Sequence, residues 1–274
     1  MGLRIDGSTD AASAARHLGN APAGLGVALE RLASGRRINR ASDDPAGLGI
    51  SELIAAQARG LSQASRNAQD AVSLIQTADG GLSQTADTLQ RVRELTVQAG
   101  NGTLSQQQRG AIQAEISELQ GGIDRVATTT QFNGRQLLDG SAGSIPVQTG
   151  ANPNDVTQVN LPDARAAALG VGAGQVDVST PAAANASLAN VDQAIDRAST
   201  ARADLGAQES ALRSAIASND VGAENQLSAQ SRIRDLDYAA GVADEVRGQL
   251  LSQLGVAVLA HANLSRPAVL DLLR

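Results

Sequence analysis

The amino-acid sequence predicts a mainly α-helical protein, an elongated antiparallel coiled-coil rod with a small β-hairpin region and both termini paired at one end. Aromatic residues are nearly absent, since Phe132 and Tyr238 are the only ones among 274 residues. A compact core of this size would normally bury several large rings. The apolar residues are instead Ala, Leu, Val and Ile, and Ala, Gln, Arg, Glu and Leu favour helix. This composition suits long helices packed closely along a seam.

The N-terminal segment, residues 1–44, is predicted to hold an amphipathic but poor helix over about 9–33. Gly19, Pro22 and Gly24 all disfavour a continuous helix, because glycine loses much backbone entropy and proline lacks an N–H donor. We expect this helix to kink near 19–22, or to break there and restart with Pro22 in its first turn.

The stretch RINRASDDPAGLGISE, residues 37–52, contains either a helix start or a pair of catalytic or metal-binding acids. Pro45 is favoured at the first helical position, and Asp44 before it is a strong N-cap. Asp43 adds negative charge near the positive end of the helix dipole. No further metal-ligand pattern lies nearby. We therefore predict that Asp44 and Pro45 start a helix.

The strongest pattern follows between residues 45 and 100, where apolar residues recur every seven positions. These seam residues are Ile54, Leu61, Ala68, Ile75, Leu82 and Leu89. An a/d seam sustained over so many intervals predicts one long helix packed in coiled-coil fashion. Alanines three positions after several seam residues predict a close approach of the partner helix.

The rest of segment 45–185 is predicted to hold a second helix and a β-hairpin region. After a break at QAGNGT, the second helix starts near residue 104, with Ser105 and Gln108 as a capping box. The short connection predicts an antiparallel pair of helices. Within about 131–185, IPVQT and VTQVNL are predicted to pair around the turn GANPND. The stretch LGVGAGQVDVSTPAAAN is predicted to be a loop or weak strand, because no βαβ unit surrounds its glycines as a dinucleotide-binding turn would require.

Helical spacing returns in the C-terminal part of the chain. Segment 186–234 carries one apolar stripe and is predicted to be the returning helix of the rod. Segment 235–274 is predicted to hold a last helix, from about 242 to 264, that ends before Pro267. The apolar stripe of this last helix comprises Val246, Leu250, Leu254 and Val258.

Several classes of function lack support in the sequence. There is no cysteine, the net charge is −6, and no hydrolase, metalloprotease or P-loop motif occurs. His17 and His261 have no apparent third or fourth metal ligand, so we expect packed or solvent-facing imidazoles. No apolar run approaches the length of a membrane span, and no secretory signal is recognisable. We expect no catalysis, cofactor, metal, nucleic-acid binding or membrane insertion, and either a cytoplasmic protein or one exported without a cleaved signal.

Six segments of the chain closely resemble bacterial flagellin. Those in the N-terminal half are LERLASGRRINRASDDPAGLGISE, RGLSQASRNAQDAVSLIQTADGGLSQTADTLQRVRELTVQAGNGT and IQAEISELQGGIDRVATTTQFNGRQLLDG. Those in the C-terminal half are VDQAIDRASTARADLGAQESAL, ENQLSAQSRIRDLDYA and QLLSQLGVAVLAHAN. They cover most of the chain outside about 135–185, and VQTGANPND also resembles the strand and turn of the flagellin rod domain.

The resemblance implies a structural subunit that self-assembles into the extracellular flagellar filament for motility. It implies that segments 1–44 and 235–274 pair inside a hollow polymer, where the stripe from Val246 to Val258 would pack. It also implies export by the flagellar type III apparatus with a chaperone, and contact with hook-associated and cap proteins. Outer domains found in larger flagellins have no room in this chain.

QRVRELTV resembles the flagellin segment that the vertebrate Toll-like flagellin receptor binds. Arg91, Leu95 and Glu115 match the recognised contacts, and their alternative role is packing between subunits.

Two other identities stay open: a hook–filament junction protein of the same superfamily, and a coiled-coil signalling rod that dimerises without forming long polymers. Nearly full flagellin patterns at both ends of the chain favour the filament subunit over the first of these.

Overall fold

The computed structural model describes the backbone of residues 7–271, and the side chains of residues 12–258 and 260 with gaps at 14, 17 and 21. The residues divide into two compact units. The terminal unit comprises the described residues of 1–56 and 225–274, and the central unit comprises residues 57–224. The unit boundaries fall within two long helices, so both units are predominantly helical.

The predicted mainly α class is confirmed. The helices are α1 (Gly7–Ser34), α2 (Pro45–Ala99), α3 (Gln106–Thr129), α4 (Ala166–Leu169), α5 (Pro181–Arg234) and α6 (Tyr238–Asp271). The strands are β1 (Gln131–Phe132), β2 (Arg135–Gln136), β3 (Ser144–Gln148) and β4 (Val156–Asn160). Strands β3 and β4 pair antiparallel, with Ser144 opposite Asn160 and Gln148 opposite Val156, around the turn that the sequence predicted.

In the central unit, α2 and α5 run antiparallel and are joined by polar bonds along their length. The bonds are Ser65 to Asp220 at 2.8 Å, Gln76 to Glu209 at 3.0 Å, Arg202 to Asp79 at 2.8 Å and Arg93 to Asp192 at 2.6 Å. Residue numbers on α5 fall as those on α2 rise, and the four pairs agree to within about one helical turn. The two helices therefore keep nearly one register through the unit.

The predicted seam of α2 forms much of the central core. Ala68, Ile75, Leu82 and Leu89 are at most 1% exposed, and Leu61 is half-buried. Helix α3 adds a further apolar stripe to this core, comprising Ile112, Ile116 and Ile123. Helix α3 starts with the predicted capping box, in which Ser105 and Gln108 each accept a hydrogen bond from the other's backbone N–H.

The stretch predicted as a loop or weak strand is part of the central core. Val171, Val176 and Val178 are at most 1% exposed and pack with α2, α3 and α5. Helix α4 and the short β1–β2 pair were not predicted from the sequence, because each is too short to show a periodic pattern. The segment therefore packs against the helices and does not form an exposed linker.

Helices α1 and α6 pack against each other in the terminal unit. The predicted interruption of α1 is wrong, because the helix continues from Gly7 to Ser34 with Pro22 inside it. The predicted end of the last helix before Pro267 is also wrong, since α6 continues to Asp271. Proline removes one backbone bond, but its fixed φ is itself helical. For α1, lateral packing against α6 outweighs local propensity, which is a weak prior. A kink within the continuous α1 stays a prediction.

Candidate functional site

The two acids before α2 accept separate local hydrogen bonds, one acid at the start of the helix and the other in the preceding turn. The backbone N–H of Gly47 donates to Asp44 Oδ1 at 2.8 Å, which is the geometry of an N-cap followed by Pro45 at the first helical position. The carboxylate of Asp43 instead accepts the backbone N–H groups of Asn39 and Arg40, both at 3.0 Å. No group of three or more metal-ligating side chains occurs among the described residues.

The backbone N–H groups of Arg40 and Asn39 lower the pKa of Asp43 below its ordinary value, with a smaller contribution from the Arg31 guanidinium. The charged carboxylate is therefore the form that the turn at 39–43 binds best. Asp43 closes the turn that precedes α2, in addition to any favourable interaction with the dipole of that helix.

The connections between the terminal and long helices pair with each other. Arg37 N–H donates to the Arg234 carbonyl at 2.7 Å, and Leu236 N–H donates to the Gly35 carbonyl at 3.0 Å. Arg36 and Asp235 form an antiparallel β-bridge between these two bonds. Gly35 has a φ of +67°, a conformation that favours glycine. We refer to residues 35–44 and 233–237 together as the junction.

Side chains strengthen the pairing at the junction. The Arg37 guanidinium donates to the Ile233 carbonyl at 2.6 Å, and Arg234 forms an ion pair with Glu52 at 2.6 Å. Ile38 is 1% exposed, in contrast to the polar residues around it. The junction is therefore an ordered element of the terminal unit, held by backbone bonds, ion pairs and one buried apolar side chain.

Beyond the junction, three glycines of α6 face three leucines of α1. A Cβ added to Gly241 would lie 3.1 Å from Leu32 Cδ2, and one added to Gly255 would lie 3.0 Å from Leu18 Cδ1. Gly248 faces Leu25 in the same way, with a distance of 3.6 Å. Both sets recur every seven residues. Because glycine has no side chain, the α6 backbone lies close to the leucine side chains of α1 at these positions.

The glycine–leucine contact was not predicted from the sequence. The seven-residue spacing of Gly241, Gly248 and Gly255 is visible in the sequence, as is that of Leu18, Leu25 and Leu32. A search confined to large apolar residues in α6 misses it, because here the contact surface is backbone. The spacing of the glycines is the signal that could have revealed the side of α6 that faces α1.

The large apolar side chains of α6 that the structure describes, up to Val258, are exposed. The four predicted stripe residues have exposed fractions of 47% for Val246, 52% for Leu250, 59% for Leu254 and 54% for Val258. Leu251 and Val256 are also more than half exposed. Ile54 of α2, the first predicted seam residue, is half-buried in the same unit. The side chains of His17 and His261 lie outside the described residues. Contact with α1 does not cover these four stripe residues, which recur every four positions on one side of α6.

The three residues matched to a receptor-binding segment differ in accessibility. Arg91 and Glu115 are exposed and form an ion pair at 3.0 Å, which links α2 to α3. Arg91 also pairs with Glu94 at 3.1 Å, and the bonds to Glu115 and then Glu94 raise the pKa of the guanidinium above its ordinary value. Leu95 is 2% exposed and belongs to the central core. Only the two charged residues of the matched set are available at the surface.

These features are those of a helical structural protein. Long paired helices with an uncovered apolar stripe are typical of helical structural proteins that associate through their apolar faces. No described helix combines the length and hydropathy needed to cross a lipid bilayer. Among the described residues, the open groove lined by residues 160–162 and by residues 196–208 of α5 contains no histidine, cysteine or lysine that could act as a base or nucleophile.

The chain belongs to the bacterial flagellin family. Residues 5–143 match the bacterial flagellin N-terminal helical region, and residues 188–273 match the bacterial flagellin C-terminal helical region. The chain is 41% identical to the flagellar filament 33 kDa core protein of Treponema phagedenis, over 98% of this chain and 99% of that protein. It is also 41% identical to a flagellin of Bacillus subtilis, over 90% of this chain and 91% of that protein.

One solved structure supports the same fold. A putative flagellar hook-associated protein of Vibrio parahaemolyticus superposes with a TM-score of 0.59, covering 70% of this chain and all of that one. The identity is 14%, so the similarity concerns the fold alone. The family assignment therefore rests on the sequence matches.

Proposed function

We propose that this protein is a structural subunit of the bacterial flagellar filament and that it polymerises through the terminal unit. The observation that carries the proposal is the exposed apolar stripe of α6, from Val246 to Val258. A monomeric soluble protein rarely exposes a contiguous apolar surface of this kind without a partner. Relatives at about 40% identity over nearly the full chain are flagellins or flagellar filament core proteins.

In this mechanism, segments 1–44 and 235–274 form the inner part of each subunit, and segments 45–185 and 186–234 form the rod. The α6 stripe of one subunit packs against a different surface of the next, a heterologous contact that does not close and so generates a helix. Full burial of one Leu or Val side chain contributes about 1.5–3 kcal/mol. Several such side chains per subunit can offset the ordering cost of association.

The family supports a set of partners and a location for the proposed subunit. Flagellin relatives make up the flagellar filament, which lies outside the cell. Reaching that location is proposed to require the flagellar type III export apparatus and a chaperone, without a cleaved signal. Hook-associated and cap proteins are the proposed neighbours at the two ends of the polymer.

Recognition by the vertebrate Toll-like flagellin receptor is proposed for Arg91 and Glu115 only. Both are exposed, whereas Leu95 is 2% exposed and would act by supporting the surface of α2. The ion pair between Arg91 and Glu115 would have to open or be shared when a partner binds. In the polymer, packing between subunits is the other proposed role of the same two side chains.

A filament subunit is favoured over the two alternative identities. The likeness to a hook-associated protein extends to the fold but not to the sequence, at 14% identity. The signalling-rod alternative does not account for matches to both flagellin regions. The filament role therefore accounts for the family matches and the exposed stripe together.

A paired substitution tests the assembly surface. Replacing Leu250 and Leu254 by Gln is expected to abolish filament formation by the concentrated protein, as seen by negative-stain electron microscopy, and to leave the helical circular dichroism of the monomer unchanged. Val97→Gln is the matched control, because Val97 is 51% exposed but lies on the central unit. Normal filaments from the double variant would contradict the proposal that the stripe is the assembly surface.

A further inference from the structure

The chain contains two Asn–Gly dipeptides, at Asn101 and Asn133, which the structure places in different backbone environments. Asn133 and Gly134 have φ values of +49° and +79° and form the two-residue turn between β1 and β2. That combination is the tight hairpin turn for which Asn–Gly is favoured. Asn101 and Gly102 lie instead in the exposed connection between α2 and α3.

The side chain of Asn101 is held by its own loop. The backbone N–H of Thr103 donates to Asn101 Oδ1 at 3.1 Å, which closes an Asx turn around Gly102. A Cβ added to Gly102 would meet no atom within 4 Å beyond its chain neighbours, so the space beside the Gly102 Cα is open. Among the described residues, none donates a hydrogen bond to the Asn133 side chain. The two dipeptides therefore share a sequence and differ in backbone conformation and in one hydrogen-bond donor to the asparagine side chain.

We propose that Asn101 is a site of spontaneous deamidation, promoted by the N–H of Thr103. The Gly102 nitrogen, after losing its proton to water or hydroxide, attacks Asn101 Cγ and forms the C–N bond of a five-membered imide. Negative charge develops on Oδ1, where the Thr103 N–H stabilises it as an oxyanion donor does. The Cγ–Nδ2 bond then breaks and Nδ2 leaves with a proton as ammonia. Water opens the imide to give an aspartate at this position, or its isomer with the backbone routed through Cβ.

The surroundings of Asn101 can accommodate the product. One terminal nitrogen of Arg109 donates to the Asn101 carbonyl at 3.1 Å. A carboxylate at position 101 therefore forms on a residue whose backbone already contacts a guanidinium, and opposite charges attract. In a long-lived protein, the reaction adds negative charge to this loop with time.

The test compares the two dipeptides within one sample. Purified protein is incubated in mildly alkaline buffer, folded or in urea, and deamidation of the peptides containing Asn101 and Asn133 is followed by mass spectrometry. In urea both dipeptides lack structure and should react at similar rates. In the folded protein we expect the ratio of the Asn101 rate to the Asn133 rate to rise by on the order of tenfold. A ratio that is unchanged or lower on folding overturns the proposal.

Gly102→Ala provides the matched variant. The structure leaves open space for its methyl group, so thermal stability should be unchanged. The added Cβ hinders the attacking nitrogen, and the Asn101 rate in the folded protein should fall severalfold while the Asn133 rate stays constant. Equal Asn101 rates in the variant and the parent would show that the attack does not come from the Gly102 nitrogen, and would also overturn the proposal.

Discussion

The central and terminal units use similar residues in opposite ways. In the central unit, the seam of α2 and the stripes of α3 and α5 are buried against each other, and Leu82, Leu89 and Leu212 are fully buried. In the terminal unit, Ile38 is the one buried hydrophobic side chain among those described, while Leu250, Leu254 and other large residues of α6 are exposed. The central unit can therefore be stable as a monomer, whereas the apolar surface of the terminal unit needs a partner.

The difference has a structural cause. Helix α2 meets its partners through Leu, Ile and Ala side chains that interlock, so its apolar stripe is used within the chain. Helix α6 meets α1 through glycines, which leaves its larger apolar residues on other faces. A helix that packs with its smallest residues keeps its largest ones available for a further contact.

The largest expected effect comes from removing the terminal helices. Deletion of 236–274 should abolish polymerisation completely, because it removes α6 with its exposed stripe, while the central unit stays helical by circular dichroism. Negative-stain images and sedimentation of the concentrated protein measure the outcome. Deletion of 1–40 should have the same result, since α6 would lose its partner α1. Normal filaments from either truncation would show that assembly does not require the deleted terminal helix, and would contradict the contrast drawn between the two units.

Substitution of one leucine in each unit sharpens the comparison. Leu82→Ala should destabilise the monomer by about 2–5 kcal/mol, the usual range for a buried leucine, because the site is 0% exposed. Leu250→Ala should change the stability of the monomer by less than about 0.5 kcal/mol, as at other exposed sites. Urea unfolding of the two variants gives both values. Equal losses would mean that the α6 stripe is already buried in the monomer.

The glycine contact between α1 and α6 can be tested by adding side chains. Gly255→Val should destabilise the pairing by roughly 1–3 kcal/mol, since even a Cβ would lie 3.0 Å from Leu18 Cδ1. Gly248→Ala is the control, because its Cβ would make ordinary contacts of 3.6 Å or more with Leu25. Hydrogen exchange of α6 amides in the monomer reports the pairing. Equal protection in both variants would show that close approach is not required.

Loss of the cap at the start of α2 should have a smaller effect. Asp44→Ala removes the bond to the Gly47 N–H and should cost about 1 kcal/mol of helix stability. Exchange of the first amides of α2 measures this local loss. We also expect elemental analysis to find no bound metal in either protein; stoichiometric metal in the parent and none in the variant would instead identify Asp43 and Asp44 as ligands.

The smallest expected effect is a pH dependence of the junction. The pKa of Asp43 is lowered in the folded state. The ionised carboxylate therefore contributes to the stability of the turn above the ordinary carboxyl pKa of 3.8, and this stabilisation is lost as pH falls through the lower folded pKa. Exchange of the Asn39 and Arg40 amides should therefore accelerate in strongly acidic buffer. In Asp43→Asn, this acid-dependent step should be absent. A step of the same size in the variant would assign it to another carboxyl group.

The sequence by itself determined the helical class, the long seam, the capping box at Ser105 and the β-hairpin, because each depends on residues close in the chain. Periodicity, cap residues and turn residues act locally, so they can be recognised without coordinates. The same local signals failed at Pro22 and Pro267, where the helices continue. Local signals also did not predict α4, which is four residues long.

Only the tertiary structure decided which face of each terminal helix is used. The sequence shows the apolar stripe of α6 and the spaced glycines, but not which of them faces α1. That choice depends on how closely two backbones can approach, and this is a property of the pair of helices. The backbone pairing of Arg37 with Arg234 was likewise not predicted, because it joins residues almost two hundred positions apart through backbone groups that every non-proline residue carries.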